Sequence, residues 1–376
     1  MKILFLAHDL ADAAVARRIA MLRAGGADVV VAGFRRSADP VTAVAQSSAV
    51  DFGRTYNSGF AQRIWSVLRA GFLLKRHKSL FTDTDVILAR NLEMLALGVQ
   101  GRRFSKKPAI LIYECLDIHR LLLNEGITGF VMRRLEGWLG RRASALFTSS
   151  PAFISHYFQK LSQIKLPIRL VENRVLDTGG HQPPLSARNP GSPWIIGWFG
   201  MIRCRKSLDI LSDLVRKSDG RVEVIIRGRP DRNQFDDFDK SVGQVPGLRF
   251  AGPYLSPDDL PSLYGNVHFS WAIDMFEEGL NSSWLLPNRL YEGGLFGAVP
   301  IALQSVETGR FLERLGIGVR LKEPLADSLA SFFKDLSAGQ YAALEKAVLD
   351  IPRTAWICDK SDCLNLIDYM RSLKGQ

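Results

Sequence analysis

KILFLA at residues 2–7 and DVVVAGF at residues 28–34 are two apolar runs that decide the fold class of this chain. Each run has the length and composition of a buried strand, and apolar positions at helical spacing from about Ala11 to Ala24 predict a helix between them. A strand–helix–strand unit of this kind predicts a parallel sheet with a right-handed crossover. The loop after the first run has no Gly-x-Gly-x-x-Gly pattern, so the sequence argues against a dinucleotide-dependent dehydrogenase.

Similar runs continue along the chain. They lie at residues 86–89, 109–113, 145–148 and 168–171, and again at residues 194–199, 222–226, 248–252, 268–273 and 299–303. Between the two sets, residues 177–193 are rich in Gly, Pro, Ser and Asn and lack periodicity, which is typical of a linker. We therefore predict an N-terminal α/β domain at residues 1–176, a C-terminal α/β domain at 194–354, and a helical tail at 355–376 that packs back on the first domain.

The composition is that of a globular protein, with 47% hydrophobic and 23% charged residues among 376. No apolar run reaches the roughly 18 residues that a membrane span requires, and the start lacks the long apolar region of a signal peptide, so we expect a cytoplasmic protein. Four cysteines without a Cys-x-x-Cys pair favour neither a disulfide framework nor a zinc site. A net charge of +11 indicates an anionic partner.

LPNRLYEGGLFGAVPIA at residues 286–302 has the pattern of a short helix that a proline starts and a glycine ends. The proline suits the first helical position, and Gly297 suits the position between the helix and the next strand. The start of a helix offers unpaired N–H groups and a positive partial charge, so Asn288, Arg289 and Glu292 would lie where an anionic nucleotide binds. The alternative is a well-capped surface helix between two loops.

A basic turn follows the first strand of the second domain. Gly200 precedes Arg203, Arg205 and Lys206 at the start of a predicted helix, and Arg227 follows the next strand. Guanidinium groups bind phosphate bidentately and lysine adds a point charge, so this turn suits a diphosphate. A solvated basic turn is the alternative.

Four ordered pieces of the second domain match one family. They are Gly197-Trp198-Phe199-Gly200 with Lys206 after it, Phe250 to Tyr254, Leu260 to Tyr264, and residues 286–292 closing on Gly297 to Pro300. With them the domain resembles the nucleotide-sugar-binding half of a GT-B glycosyltransferase, most nearly the family 4 type. The resemblance implies an α/β protein of two Rossmann-like doubly wound domains that face a central crevice, with the C-terminal helix crossing back to the first domain.

The resemblance also implies roles for individual side chains. Lys206 and an arginine of the 203–205 turn would hold the diphosphate. Glu292 would accept hydrogen bonds from the ribose, and Asn288 would lie beside the phosphates.

One position departs from the family pattern. Many retaining members carry a second glutamate eight residues before the ribose-binding one, and this chain has Trp284 there. The resemblance therefore does not imply that the anomeric configuration is retained. Glu277, Glu278 and Asn281 on the preceding loop are candidates for the sugar contact, and a solvated acidic turn is the alternative for the two glutamates.

In the first domain, the loop at residues 114–119 follows a buried strand and resembles the segment that faces the donor sugar in these transferases. An inverting enzyme needs a carboxylate or an imidazole to take the proton of the acceptor hydroxyl. Asp117, Glu114 and His119 are the catalytic candidates. A helix cap is the alternative for Asp117, and a surface imidazole is the alternative for His119.

Two further polar loops lie in the first domain. His8 and Asp9 follow the first strand, and we expect them on the acceptor side. Thr82-Asp83-Thr84-Asp85 contains Asp-x-Asp, the metal-binding pattern of the other glycosyltransferase fold, but it precedes a strand, so we interpret it as a turn. No cofactor and no essential metal are expected beside the nucleotide-sugar substrate.

Residues 63–78 and 130–142 combine helical apolar spacing and aromatic residues with clustered Arg and Lys. Basic amphipathic helices of this kind lie in the interface of an anionic membrane. The alternative is a pair of ordinary helices packed on the N-terminal sheet. A nucleic-acid partner is not expected, because the sequence has no recognised binding module.

The sequence thus predicts a glycosyltransferase on the cytoplasmic face of the membrane. It would move a sugar from a nucleoside diphosphate donor, UDP in the first instance, to a lipid-linked saccharide in exopolysaccharide synthesis. A nucleotide-sugar epimerase of the same fold is one alternative. A non-catalytic assembly protein bound to the membrane is the other, because a fold does not guarantee an activity.

Overall fold

The computed structural model describes residues 1–55, 71–72, 74–177, 179 and 188–375. The chain divides into two compact units. The first unit comprises Met1–Glu172, Leu176–Thr178 and Cys358–Gln376, and the second comprises Asn173–Val175 and Gly179–Ile357. Each unit is built on a mainly parallel β-sheet whose strands alternate with helices. The predicted class, an α/β protein with two Rossmann-like units, is confirmed.

The first unit contains an eight-stranded sheet. Its strands are β1 (Lys2–Ala7), β2 (Asp28–Arg35), β3 (Ala43–Val44), β4 (Ser47–Arg54), β5 (Val86–Arg90), β6 (Ile110–Cys115), β7 (Ala145–Thr148) and β8 (Ile168–Leu170). Their spatial order is β3-β4-β2-β1-β5-β6-β7-β8, and β3 pairs antiparallel to β4 while the other pairs are parallel. Six helices of this unit are α1 (Ala13–Ala24), α2 (Ser79–Thr82), α3 (Leu92–Gly101), α4 (Arg120–Leu123), α5 (Ile127–Gly140) and α6 (Pro151–Phe153).

The second unit contains a six-stranded sheet. Its strands are β9 (Trp194–Ile202), β10 (Val222–Pro230), β11 (Leu248–Phe250), β12 (Phe269–Trp271), β13 (Val299–Leu303) and β14 (Val319–Leu321). The order is β11-β10-β9-β12-β13-β14, and every pair is parallel. Its helices are α7 (Arg205–Lys217), α8 (Phe238–Gly243), α9 (Leu260–Gly265), α10 (Asn288–Leu295), α11 (Glu307–Leu315), α12 (Leu325–Asp335) and α13 (Ala338–Leu349).

Both sheets reverse their winding direction at their first strand. In the first unit β1 lies between β2 and β5, and in the second unit β9 lies between β10 and β12. At such a switch point the loops after the two central strands diverge and leave a crevice at the carboxyl edge of the sheet, where α/β proteins bind their ligands. The loops after β1 and β5, and those after β9 and β12, are therefore the places to look for function.

The last helix, α14 (Lys360–Ser372), belongs to the first unit. It packs against the end of α1, where a side chain on Gly25 would meet the carbonyl oxygen of Cys363 at 2.4 Å. The helix begins later than residue 355, the predicted start. Residues 353–355 form a 3-10 turn, Ile357–Cys358 pairs as a short strand with Val175–Leu176, and a capping box on Asp359 then starts the helix.

Two details of the predicted elements were wrong or incomplete. Pro287 is the residue before the first turn of α10, with an extended backbone (φ −73°, ψ 151°), and is not the first helical residue. The strands β3 and β4 were not predicted. Strand β4 contains Asp51, which pairs with Arg35 of β2, and lacks a clean apolar alternation, so the sequence pattern there is weak.

Candidate functional site

The carboxyl edge of the second sheet has a floor of glycines. Gly200 (φ 111°) and Gly228 (φ 137°) lie near the ends of two neighbouring strands, and Gly252 (φ 74°) follows the next one; each has a backbone conformation that favours glycine. A side chain on Gly228 would lie 1.8 Å from the carbonyl oxygen of Gly200. The edge is therefore lined by backbone, which lets a ligand approach the main chain closely.

Cations surround this floor, and each has a neighbour on another loop. Lys206 Nζ lies 2.7 Å from both carboxylate oxygens of Glu278. Arg205 pairs with Asp236 at the surface. Arg203 stacks over the ring of Phe276, 4.5 Å from its centre. The basic turn and the loop after β12 thus meet, which brings the predicted diphosphate and sugar residues together.

The loop after β12 is anchored by Asp274. Its carboxylate accepts a hydrogen bond from Ser282 and lies 3.6 Å from Arg289, the second residue of α10. Burial alone would raise the pKa of Asp274, but the charges of Arg289 and Arg203 hold it below its ordinary value. Asn281, a predicted sugar contact on this loop, is buried. Asp274 was missed in the sequence, where it has the pattern of an ordinary turn residue.

Glu292 lies in a second polar cluster at the same edge. Its Oε2 accepts a hydrogen bond of 2.9 Å from Tyr264, and 6% of the residue is exposed. Tyr254 is close enough that burial, followed by the charge of Glu292, raises its pKa, while Arg289 and Arg227 act in the opposite direction. The two tyrosines belong to the family-like pieces of sequence, but their contact with Glu292 could be found only in the fold.

Two arginines at this edge have a side-chain N–H donor that could bind a ligand. Arg289 donates to the carbonyl of Ile273 at 2.7 Å, and Arg227 donates to that of Pro253 at 2.7 Å. The Nε of each is buried and has no hydrogen-bond partner within the described residues. Buried donors of this kind are costly unless a ligand or water satisfies them. Asn288, the first residue of α10, lies at a helix start that has no side-chain cap, although it makes contacts of its own.

In the first unit, Glu114 differs from the sequence prediction. It is fully buried at the end of β6, and its two oxygens are each 2.6 Å from an arginine Nε, that of Arg18 and that of Arg90. These two guanidinium groups outweigh the effect of burial and hold the pKa of Glu114 below its ordinary value. A buried carboxylate with two arginine partners cannot reach a substrate hydroxyl, so the proposal of Glu114 as a catalytic base was wrong.

Asp117 and His119 lie on the exposed loop after β6. His119 begins α4, and its Nδ1 accepts the N–H of Leu121 at 3.3 Å. The structure therefore gives His119 a capping contact, and Asp117 also makes contacts within the chain. Their catalytic roles stay predictions.

The loop after β1 contains His8 and Asp9. Asp9 is buried and accepts the N–H groups of Ala11 and Arg36, each at 3.2 Å. It shapes the turn instead of facing a ligand directly. His8 Nε2 lies 3.7 Å from the carboxylate of Asp12, a neighbour that the sequence analysis did not single out.

Asp83 and Asp85 form the predicted turn. Asp85 accepts the N–H of Lys2 at 2.7 Å and pairs with Lys107 and Lys374. Among the described residues, no group of three or more His, Cys, Asp or Glu side chains could hold a metal ion. All four cysteines are buried thiols.

Comparison with known proteins agrees with this architecture. No family model matches the chain. A sucrose-phosphate synthase structure from Thermosynechococcus elongatus covers 100% of this chain and 99% of its own, with a TM-score of 0.75 at 12% identity. The structure of HepE from Anabaena in complex with UDP and glucose covers 99% of both chains, with a TM-score of 0.69 at 16% identity. These matches show the fold, which is the GT-B fold that the resemblance implied.

The decisive match is a sequence match. The succinoglycan biosynthesis protein ExoL of Rhizobium meliloti is 46% identical over 381 residues, which cover 100% of this chain and 94% of ExoL. The chain belongs to the ExoL family. The predicted enzyme class, a glycosyltransferase of exopolysaccharide synthesis, is confirmed at that level by the relationship to ExoL and by the fold.

Proposed function

We propose that this member of the ExoL family transfers a sugar from a UDP-sugar to a lipid-linked saccharide during exopolysaccharide synthesis. The observation that carries the donor half of the proposal is the carboxyl edge of the second sheet, where the glycine floor, the basic turn and Glu292 come together. The complex of HepE with UDP and glucose supports UDP as the nucleotide. The name of ExoL supports an acceptor of the exopolysaccharide pathway.

The proposed donor contacts follow from the chemistry of each side chain. Lys206 and Arg203 neutralise the diphosphate, and Lys206 exchanges Glu278 for a phosphate when the donor binds. Glu292 accepts hydrogen bonds from the ribose hydroxyls. Glu278, released from Lys206, then contacts the sugar, whereas Asn281 is buried on the same loop. Stabilising the charge that develops on the leaving diphosphate is the main contribution of these residues to the rate.

The donor proposal predicts that Glu292→Gln weakens UDP binding. The amide keeps the volume and can still accept from Tyr264, but the charged acceptor for the ribose is lost. A hydrogen bond to a charged group contributes about 1.5–3 kcal/mol, so the Kd should rise by about tenfold to a hundredfold. Isothermal calorimetry measures it, with the exposed Glu223→Gln as the control. Unchanged affinity in Glu292→Gln would remove Glu292 from the donor site.

The acceptor half of the proposal rests on helix α5 of the first unit. Five of its large apolar side chains point outward, with exposed fractions of 84% for Ile127, 52% for Phe130, 55% for Val131, 43% for Leu135 and 46% for Trp138. Its buried residues are mostly small: Gly129, Glu136, Gly137, Leu139 and Gly140. An ordinary amphipathic helix buries its aromatic residues, so packing on the sheet does not explain this one. A cluster of exposed apolar side chains on one helix is typical of a contact surface.

Arginines accompany the aromatic residues of α5. Arg134 lies over the ring of Phe130 at 5.4 Å, and Arg142 lies over that of Trp138 at 4.0 Å. A helix that presents aromatic rings and cations together suits the interface of an anionic membrane, where lipid-linked acceptors are anchored. Residues 63–70 and 73 of the other basic segment lie outside the described residues. We place the protein peripherally on the cytoplasmic face, and no helix within the described ranges is long and apolar enough to span a bilayer.

A further inference from the structure

The basic turn before α7 contains three cations, and they differ in what holds their side chains. Arg205 and Lys206 each pair with a carboxylate of another loop. Arg203 makes no hydrogen bond and no ion pair within the part of the chain that the structure describes, and its guanidinium carbon lies over the ring of Phe276, 4.5 Å from the ring centre. Arg203 can therefore bind a phosphate without giving up a carboxylate partner.

The backbone of Arg203 is fixed by its neighbours in the chain. Ile202 and Cys204 are buried, and Sγ of Cys204 accepts the N–H of Ser207 at 3.4 Å, which caps the start of α7. An arginine side chain has several rotatable bonds, so a fixed backbone alone does not order its guanidinium group. Among the described residues, the stack on Phe276 is the contact that orders it.

The loop after β12 holds Phe276 in place from the other side. The N–H of Phe276 donates to Oδ1 of Asp274 at 3.1 Å. Ser282 donates to the same carboxylate and accepts the N–H of Glu277 at 2.9 Å, so the loop is tied together on both sides of the ring. The residue is nevertheless 36% exposed. Core packing does not explain an aromatic ring held at the surface of a loop with this many hydrogen bonds.

A guanidinium group that stacks on an aromatic face keeps its hydrogen-bond donors available. The cation–π attraction acts through the flat face of the group. Its five N–H donors point outward in the plane, in a rigid fork that matches the oxygens of a phosphate. The ring thus orders the cation without competing for its donors. An ordered donor loses less conformational entropy when the ligand binds, which strengthens binding.

The charges around Arg203 suit an anionic ligand. The nearby carboxylate of Asp274 has its own cation, because it lies 3.6 Å from Arg289. Helix α7, which starts two residues after Arg203, is 13 residues long and has no acidic side chain in its first turn. Its positive end therefore adds to the charge of the guanidinium group.

We propose that Phe276 is a positioning residue for the diphosphate of the donor, and that it acts by ordering the guanidinium group of Arg203. This inference rests on the proposed donor site. The ring itself touches neither the phosphates nor the reacting atoms, so the position requires an aromatic face and not merely an apolar side chain. Phe276 and Arg203 act as one unit, separately from the ion pair of Lys206 with Glu278.

The test measures UDP affinity by isothermal calorimetry in full-length Phe276→Leu and Phe276→Tyr. Leucine keeps an apolar side chain but has no aromatic face, so the Kd should rise about two- to fivefold, the size of a cation–π contact at an exposed site. Tyrosine keeps the face, and its Kd should equal that of the wild type. Leu280→Ala is the matched control, because Leu280 lies on the same loop and is 39% exposed. It should bind UDP as the wild type does.

A double-mutant cycle separates positioning from support of the loop. Arg203→Gln alone should raise the Kd about tenfold to a hundredfold, because hydrogen bonds from a charged group are lost. Adding Phe276→Leu to Arg203→Gln should have no further effect. Adding it to Lys206→Gln should still raise the Kd by the same factor as in the wild type, because the ring does not act through Lys206.

Three results would overturn the assignment. One is wild-type UDP affinity in Phe276→Leu, and another is wild-type affinity in Arg203→Gln. The third is an undiminished effect of Phe276→Leu in the Arg203→Gln background, which would mean that the ring only supports the loop. In each case a wild-type protein that binds UDP leaves the proposed function intact. Failure of the wild type to bind UDP would overturn the proposed donor site itself, and this inference with it.

Discussion

Glu114 shows how burial changes the role of a side chain that the sequence marks as reactive. Its carboxylate joins Arg18 of α1 and Arg90 of β5 in a network that is almost completely buried. One carboxylate balances two guanidinium groups there, so the network holds a surplus positive charge beside His8. The residue stabilises the first unit and sets the electrostatics of the carboxyl edge, but it does not meet the substrate.

This role predicts a stability defect for Glu114→Gln. Removing the charged partner leaves two buried guanidinium groups uncompensated, and breaking a buried pair in this way costs about 3–5 kcal/mol. The midpoint of urea denaturation should therefore fall strongly, whereas the exposed Glu125→Gln should leave it unchanged. A Glu114→Gln protein as stable as the wild type but inactive would restore Glu114 as a catalytic residue.

For single residues, the sequence predicts which residue types belong to a site better than it predicts their side-chain contacts. Lys206 and Glu292 were predicted as site residues because cations and a helix start follow strands. The ion pair of Lys206 with Glu278 was not predicted. The family pattern places its second glutamate eight residues before Glu292, and that position is Trp284. Glu278 lies before the 3-10 turn at Asn281–Ser283, and its contact with Lys206 depends on the path of a loop that has no periodicity to predict it.

At the scale of elements, α5 owes its orientation to glycine. A side chain on Gly137 would approach Cβ of Gln163 to 2.7 Å, and one on Gly140 would approach Ile164 to the same distance. Close packing along these glycines leaves no room for aromatic residues, which therefore face outward. Buried Glu136 strengthens the contact by accepting hydrogen bonds from Tyr157 at 2.7 Å and from Ser162 at 2.8 Å.

The orientation of α5 predicts membrane binding that depends on its aromatic residues. Phe130→Ser with Trp138→Ser removes two rings whose full burial contributes about 1.5–3 kcal/mol each, so partition onto vesicles should fall at least tenfold. Cosedimentation with phosphatidylglycerol vesicles at low salt measures this. High salt should weaken the wild-type interaction as well, because it screens the arginines.

Leu255→Ser is the matched control, since Leu255 is 70% exposed but lies in the second unit. It should bind vesicles as the wild type does. A wild-type protein that stays entirely in solution with anionic vesicles at low salt would contradict the membrane proposal, while leaving the donor site untouched.

Most elements could be predicted from periodicity, because strands β1, β7 and β13 are continuous apolar runs bounded by turn residues. The start of α14 could not be predicted, because a capping box on Asp359 and the strand pairing of Ile357–Cys358 determine where the helix begins. Antiparallel β3 was missed for a related reason. It is a two-residue strand, Ala43–Val44, and its pairing with β4 gives it no periodicity of its own.

At the scale of the whole molecule, the fold and the enzyme class could be inferred from the sequence because they depend on the order of strands and motifs along the chain. Parallel strands in succession fix where ligands bind, and four short motifs in the right sequence fix the family. The contacts of the individual site residues could not be inferred, because they depend on which side chains the sheet brings together. The net charge of +11 agrees with both a diphosphate donor and an anionic surface and cannot separate them.

We propose that the protein transfers a sugar from a UDP-sugar to a lipid-linked saccharide. The most direct measurement incubates the purified protein with labelled UDP-sugars and membranes that carry the acceptor, then follows label in the organic extract and UDP in the aqueous phase. We predict that one UDP-sugar delivers label to the extract, with UDP released in equal amount and only when acceptor is present. Conversion of the UDP-sugar without acceptor and without UDP release, or no conversion of any UDP-sugar, would contradict it.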